Sequence, residues 1–167
     1  SSLSDEVLCD KLSQSEQYES AFKICTIAAK TGSASAQFHL GSAYELGTGV
    51  EPDSSQAIYW YQKSANQGYA TAQLYLGDIY ISGRGTEVNE SQAVYWYKQA
   101  ADQNLATAEY NLGVAYDKGY GIEKNESMAA YWYQKAAEQG HSTAQYNLGN
   151  MYDNGDGVKE DKAKAAY

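Results

Sequence analysis

Trp60, Trp96 and Trp132 each sit inside a Tyr-Trp-Tyr triplet, and each stands 36 residues from the next. The same shift carries Gly41 to Gly77, Gly113 and Gly149, Leu40 to Leu76, Leu112 and Leu148, and Tyr44 to Tyr80, Tyr116 and Tyr152. No insertion or deletion breaks the register from Ala36 to Tyr167. Self-similarity at a fixed period of this length marks an array of supersecondary units. None of them can bury its apolar face alone, so each must stack on the next.

Within one period the pattern reads as two helices. Ala36, Leu40, Ala43 and Tyr44 fall on one helical face, and the Gly47-Thr48-Gly49 turn ends that first, or A, helix. The second, or B, helix starts at Asp53 with Gln56 three residues on, repeated as Asn89 with Gln92, a capping-box-like pattern. Its inner face carries Ala57, Trp60, Tyr61 and Ala65, and it stops at Gly68. The spacing predicts A helices near 34–46, 70–82, 106–118 and 142–154, and B helices near 54–67, 90–103, 126–139 and from 162 onward. The expected fold is all-α, a right-handed α/α superhelix of antiparallel helix pairs. It comprises a degenerate capping pair over 1–33, full repeats over 34–69, 70–105 and 106–141, and a partial repeat over 142–167. The last B helix stops short of its siblings at Tyr167, so the chain is expected to continue in a longer array or to pack that helix differently.

These residues carry a family resemblance. The run Ala-Gln-x-x-Leu-Gly-x-x-Tyr, then Gly-x-Gly, then Ala-x-Tyr-Trp-Tyr-x-x-Ala-Ala-x-x-Gly, as in Ala144 to Tyr152 and Ala129 to Gly140, resembles the Sel-1-like repeat family, related to tetratricopeptide repeats. The resemblance implies an adaptor surface for protein complexes, in bacteria or eukaryotes, without catalytic activity. Fold alone does not name the partner. Asn104 stands where siblings have a glycine helix stop, a residue that also tolerates the left-handed region.

Composition narrows the function classes. With 21 acidic against 12 basic residues, a formal charge of −9 and Arg84 as the single arginine, the chain lacks the clustered cations that nucleic-acid binding needs. An apolar content of 43%, with 13% aromatic, is too rich for a disordered chain. No apolar run approaches the roughly 20 residues of a membrane-spanning helix, and no membrane insertion is expected.

Several chemical motifs have plainer explanations. Ser20-Ala21-Phe22-Lys23 and Lys30-Thr31-Gly32 match serine β-lactamase motifs, and cysteine-rich members of the resembling family have been described as penicillin-binding. Here the two motifs share one helix, roughly 15 Å apart, too far for one site. A β-lactam enzyme and a purely structural segment are the alternatives to an adaptor. The paired glycines lack the preceding strand of a dinucleotide site. Asp153 to Gly157 lacks the ligand alternation of a calcium loop, and His39 and His141 occupy different repeat positions. No cofactor or metal is expected. The sequon-like Asn89 and Asn125 fall at helix caps.

Cys9 and Cys25 lie equidistant from a turn near 13–17 and can face each other across a hairpin. A disulfide there would close a loop stabilising the cap by about 3 kcal/mol on a chain-entropy model, and export to an oxidising compartment such as the periplasm would follow. Two buried free thiols are the alternative.

The partner surface is expected on the A-helix columns that vary between repeats. Column 39 reads His39, Tyr75, Asn111, Asn147; column 42 reads Ser42, Asp78, Val114, Asn150; column 45 reads Glu45, Ile81, Asp117, Asp153. Tyr75, Asp78, Tyr110, Asn111, Asp117, Tyr146, Asn147 and Asn150 are the candidate binding residues. Asn111 and Asn147 both donate and accept, as an extended backbone requires, while Tyr110 and Tyr146 offer contact area. The A helices carry five acids, Glu45, Asp78, Glu109, Asp117 and Asp153, against Lys118, so a basic or neutral protein or peptide is the expected partner. Repeated Tyr44, Tyr59 and Tyr61 read as packing between helices.

Overall fold

The computed structural model describes residues 3–158 and 164–165. Among them the chain forms helices only: α1 (Leu3–Gln14), α2 (Tyr18–Lys30), α3 (Ala34–Leu46), α4 (Ser54–Asn66), α5 (Ala70–Ser82), α6 (Glu90–Ala101), α7 (Ala106–Lys118), α8 (Glu126–Glu138) and α9 (Ser142–Asn154). α1, α3, α5, α7 and α9 are A helices, and α2, α4, α6 and α8 are B helices. α1 packs on α2, α2 on α3 and α3 on α4, and likewise α6 on α7, α7 on α8 and α8 on α9, the arrangement of an all-α solenoid repeat. Of the B helix expected from 162 onward, only Lys164 and Ala165 are described, in a turn; the rest lies outside the described residues.

The chain divides into two compact units. The first comprises Ser1–Ile79 with Gly83–Glu87, and the second Tyr80–Ser82 with Val88–Tyr167. The core of the first is built from Cys9, Cys25, Ala28, Ala36, Leu40 and Trp60. That of the second is built from small and large residues in alternation, among them Ala129, Tyr133, Ala136, Ala144 and Leu148. Alanine on the inner faces lets the helices close, and the large rings fill what remains.

Helix ends follow local chemistry. Asp53, Asn89 and Asn125 each accept the backbone N–H three residues on, at 3.0 Å. The reciprocal half of a capping box is replaced, because the N–H groups of Asp53, Asn89 and Asn125 instead donate to the carbonyls of Tyr44, Tyr80 and Tyr116. That bond folds the chain back after α3, α5 and α7. Asn104 takes the left-handed φ of +64°, as its glycine siblings do.

Glycine sets two close approaches that position the surface described next. A Cβ on Gly41 or Gly113 would lie 2.7 Å from Cδ1 of Tyr61 or Tyr133, so the ring of each B-helix tyrosine rests on a bare A-helix backbone. In the Gly-x-Gly turns, a Cβ on Gly49, Gly121 or Gly157 would strike the backbone opening α2, α6 or α8. The turn is thereby pressed onto the preceding B helix, which fixes where its middle residue, x, stands.

Two expectations need correction. Tyr61 is fully buried, but Tyr59, Tyr95 and Tyr131 are about half exposed, each standing edge-on to its neighbouring tryptophan at 4.9–5.0 Å. Successive helix residues point about 100° apart, so one helix cannot bury all three rings of Tyr-Trp-Tyr. Glu109, expected among the groove acids, is completely buried. It occupies the position of Gln37, Gln73 and Gln145, whose Nε2 atoms each donate to the carbonyl eight residues earlier.

Candidate functional site

In the second unit, α7, α8 and α9 enclose a pocket of about 390 Å³. Tyr110, Asp117, Asn147 and Asn150 line it together, joined by Glu126, Tyr133 and Asp156. The Tyr133 ring, held on Gly113, presents its hydroxyl to Asp117 Oδ2 at 3.4 Å. Burial raises the Tyr133 pKa first and the Asp117 charge adds to it, against an opposing hydrogen bond from Asn147, so the hydroxyl stays a proton donor. Lys118 lies 3.4 Å from Asp117 and Lys124 lies 3.5 Å from Glu126, both largely exposed. Tyr110 stacks on His141 at 4.5 Å, and His141 Nδ1 in turn accepts the Ala144 N–H at 3.2 Å, capping α9. Two members of the pocket wall are therefore fixed by packing before anything binds.

The remaining candidates are distributed. Asn111 lines a smaller, apolar pocket of about 150 Å³ with Ile81, Val94, Tyr97, Val114 and Tyr120. Tyr146 is 68% exposed on α9. In the first unit, Tyr75 packs edge-on against Phe38 at 5.1 Å and Tyr61 at 5.6 Å, which leaves it half-buried within an aromatic cluster, and Asp78 is half-buried on α5. Glu45 is engaged by its own chain, accepting from the Tyr61 hydroxyl at 2.6 Å and pairing with Arg84 at 3.2 Å. Burial and the Glu45 partner raise the Tyr61 pKa. His39 Nε2 lies 3.1 Å from Asp10, and burial lowers its pKa more than Asp10 raises it.

The sulfur atoms of Cys9 and Cys25 are 2.06 Å apart, a disulfide that joins α1 to α2 and is compatible with an oxidising, extracytoplasmic location. Ser20 and Lys23 are exposed on α2, and Gly32 ends that helix at φ +104°. Among the described residues no group of His, Cys, Asp or Glu could hold a metal ion, and no helix is long and apolar enough to cross a membrane.

Glu126, Tyr133 and Asp156 were not among the sequence candidates. The available signal was the middle residue of Gly-x-Gly, which reads Thr48, Arg84, Tyr120 and Asp156 and changes chemistry at every repeat.

The Sel1 repeat model matches residues 34–69, 70–105, 106–141 and 142–167. The chain belongs to the Sel1 repeat family. Members of the family are in general protein-interaction scaffolds, they bind proteins, and no catalytic family is indicated for this chain. Among solved structures, a protective antigen of uropathogenic Escherichia coli with the same repeat fold is 38% identical, with a TM-score of 0.83 over 86% of this chain and 31% of that one. A Sel1 repeat protein from Oxalobacter formigenes is 36% identical, with a TM-score of 0.81 over 89% of this chain and 59% of that one. This Sel1 chain thus spans less than two thirds of either structure. No curated protein matches it.

Proposed function

We propose that this Sel1 repeat chain is a non-enzymatic scaffold that takes an extended, basic or neutral segment of a partner protein on the A-helix face. The observation that carries the reading is the pocket that brings Tyr110, Asp117, Asn147 and Asn150 together. It combines a fixed aromatic wall, two amides that can both donate to and accept from a peptide backbone, and an excess of carboxylates. Repeated core columns keep the scaffold rigid while these surface columns vary, so recognition changes without refolding. The Cys9–Cys25 disulfide supports work in an oxidising compartment, where a crosslink of the N-terminal helix pair persists.

The test begins with peptides selected from a random displayed library against the whole chain. Asn147→Ala combined with Asn150→Ala should weaken the selected peptides at least about tenfold, the loss expected for two amide contacts of roughly 1 kcal/mol each. Undiminished binding would move the site away from these helices.

A further inference from the structure

The 36-residue phase places the same four positions around each junction between successive repeats: the x of a Gly-x-Gly turn, an acid or apolar residue from the end of the preceding A helix, a B-helix residue and column 39. In that phase the pairing of turn residue with wall residue is complementary wherever both are polar or both apolar, except once. Arg84 meets Glu45 at 3.2 Å, while Tyr61 donates to the other Glu45 oxygen at 2.6 Å. Tyr120 and Ile81 line one apolar pocket. In the last junction Asp117 replaces Glu45 and Tyr133 replaces Tyr61, with the hydroxyl again on the carboxylate, but Asp156 stands where Arg84 stands. Two acids therefore line one open pocket, with Glu126 as a third.

Resting on the reading of this pocket as a peptide site, we propose that it takes an arginine side chain from the partner, seated where the chain's own Arg84 sits two junctions earlier. The sibling junction is the second observation beside the acidic lining: the equivalent carboxylate, held by the equivalent tyrosine hydroxyl, already pairs with a guanidinium there. A planar guanidinium spreads its N–H donors over a rigid fork that can span separated carboxylates, whereas the donors of lysine radiate from a single nitrogen. Lys118 faces Asp117 at 3.4 Å and is 58% exposed, and Lys124 faces Glu126 at 3.5 Å and is 60% exposed; both can swing into solvent as the ligand enters. Asn150, and the amide groups of Asn147 not bonded to Tyr133, face the backbone on either side of the arginine.

The experiment titrates the nitrogen-15-labelled chain with acetyl-Gly-Arg-Gly-amide and, separately, with the lysine and glutamine counterparts. The arginine peptide should shift the amides of Tyr133, Asn147 and Asp156 saturably, bind at least about fivefold tighter than the lysine peptide, and weaken severalfold at high salt. Asp156→Arg fills the pocket from within and should lower arginine-peptide binding about tenfold, whereas Arg84→Asp should create a second arginine response at Tyr61. No saturable shift at the three residues, an equal response to lysine, undiminished binding by Asp156→Arg, or no new response with Arg84→Asp would each overturn the assignment. Library-selected peptides that still depend on Asn147 and Asn150 while no arginine response appears would remove this proposal and leave the peptide reading in place. Failure of both would remove both.

Discussion

Two of the A helices carry a buried glutamine, and α9 a half-buried one, where α7 carries Glu109, and restoring the amide by Glu109→Gln is expected to stabilise the second unit. Gln37, Gln73 and Gln145 donate to the carbonyls of Ala29, Ala65 and Ala137 at 3.1–3.2 Å. Gln37 also accepts from Gln67 at 2.8 Å, and Glu109 accepts from Gln139 at 2.9 Å in the same way. The substitution keeps that bond and gains the one to Ala101. It also removes a buried carboxylate whose Oε1 has no hydrogen-bond partner among the described residues and whose paired cation, Lys135, stands 3.9 Å away. One net hydrogen bond contributes about 1 kcal/mol, and relieving an unsatisfied buried oxygen about 1–3 kcal/mol. Losing the long Lys135 contact costs at most about 1 kcal/mol, since that lysine is one-third exposed. The expected gain is about 1–3 kcal/mol, or roughly 2–10 °C in Tm at this size. Thermal and urea unfolding of wild type and Glu109→Gln, followed by circular dichroism, measure it. An unchanged or lower midpoint would refute the reasoning and mean that the attraction between Lys135 and Glu109 outweighs the missing hydrogen bond.

Two further outcomes follow from the same geometry. Gly121→Ala should cost more than about 3 kcal/mol, because the new Cβ strikes the Glu90 backbone at a left-handed φ, whereas Gly140→Ala, with φ +87° and nothing within 4 Å, should cost only about 1–2 kcal/mol; urea midpoints compare them. The lowered His39 pKa means that the unfolded chain takes up its proton first as pH falls, so this contribution to stability is complete above about pH 6.5 and is lost on acidification toward the folded value. Asp10 faces the ring and opposes the shift without cancelling it. Stability of His39→Gln measured from pH 7.5 to 5.5 should fall less steeply than wild type, and parallel curves would remove His39 from the acid response.

Much of the fold was legible because its punctuation is chemical. Glycine, asparagine and aspartate at fixed phase mark where helices stop and start, and the A-helix bounds read from sequence are those of α3, α5, α7 and α9. Glu109 was misplaced because carboxylates are rarely buried, and only its column of glutamines hinted that this one is. Tyr59 was misplaced because identity between repeats records surface as well as core. Asp156 went unrecognised as a wall residue because the Gly-x-Gly turn accounts for its glycines fully, while the role of the residue between them depends on the helix across the junction. That distance in sequence, from Asp117 to Asp156, is not visible to any local pattern.

In the proposed function, partners are read on the A helices of the second unit. Backbone hydrogen exchange on the whole chain, with and without a library-selected peptide, tests it most directly. Slowed exchange and shifted resonances concentrated on α7 and α9, around Asn111, Asn147 and Asn150, are the predicted result. Protection concentrated on the B helices beside the exposed Tyr95 and Tyr131 would contradict it.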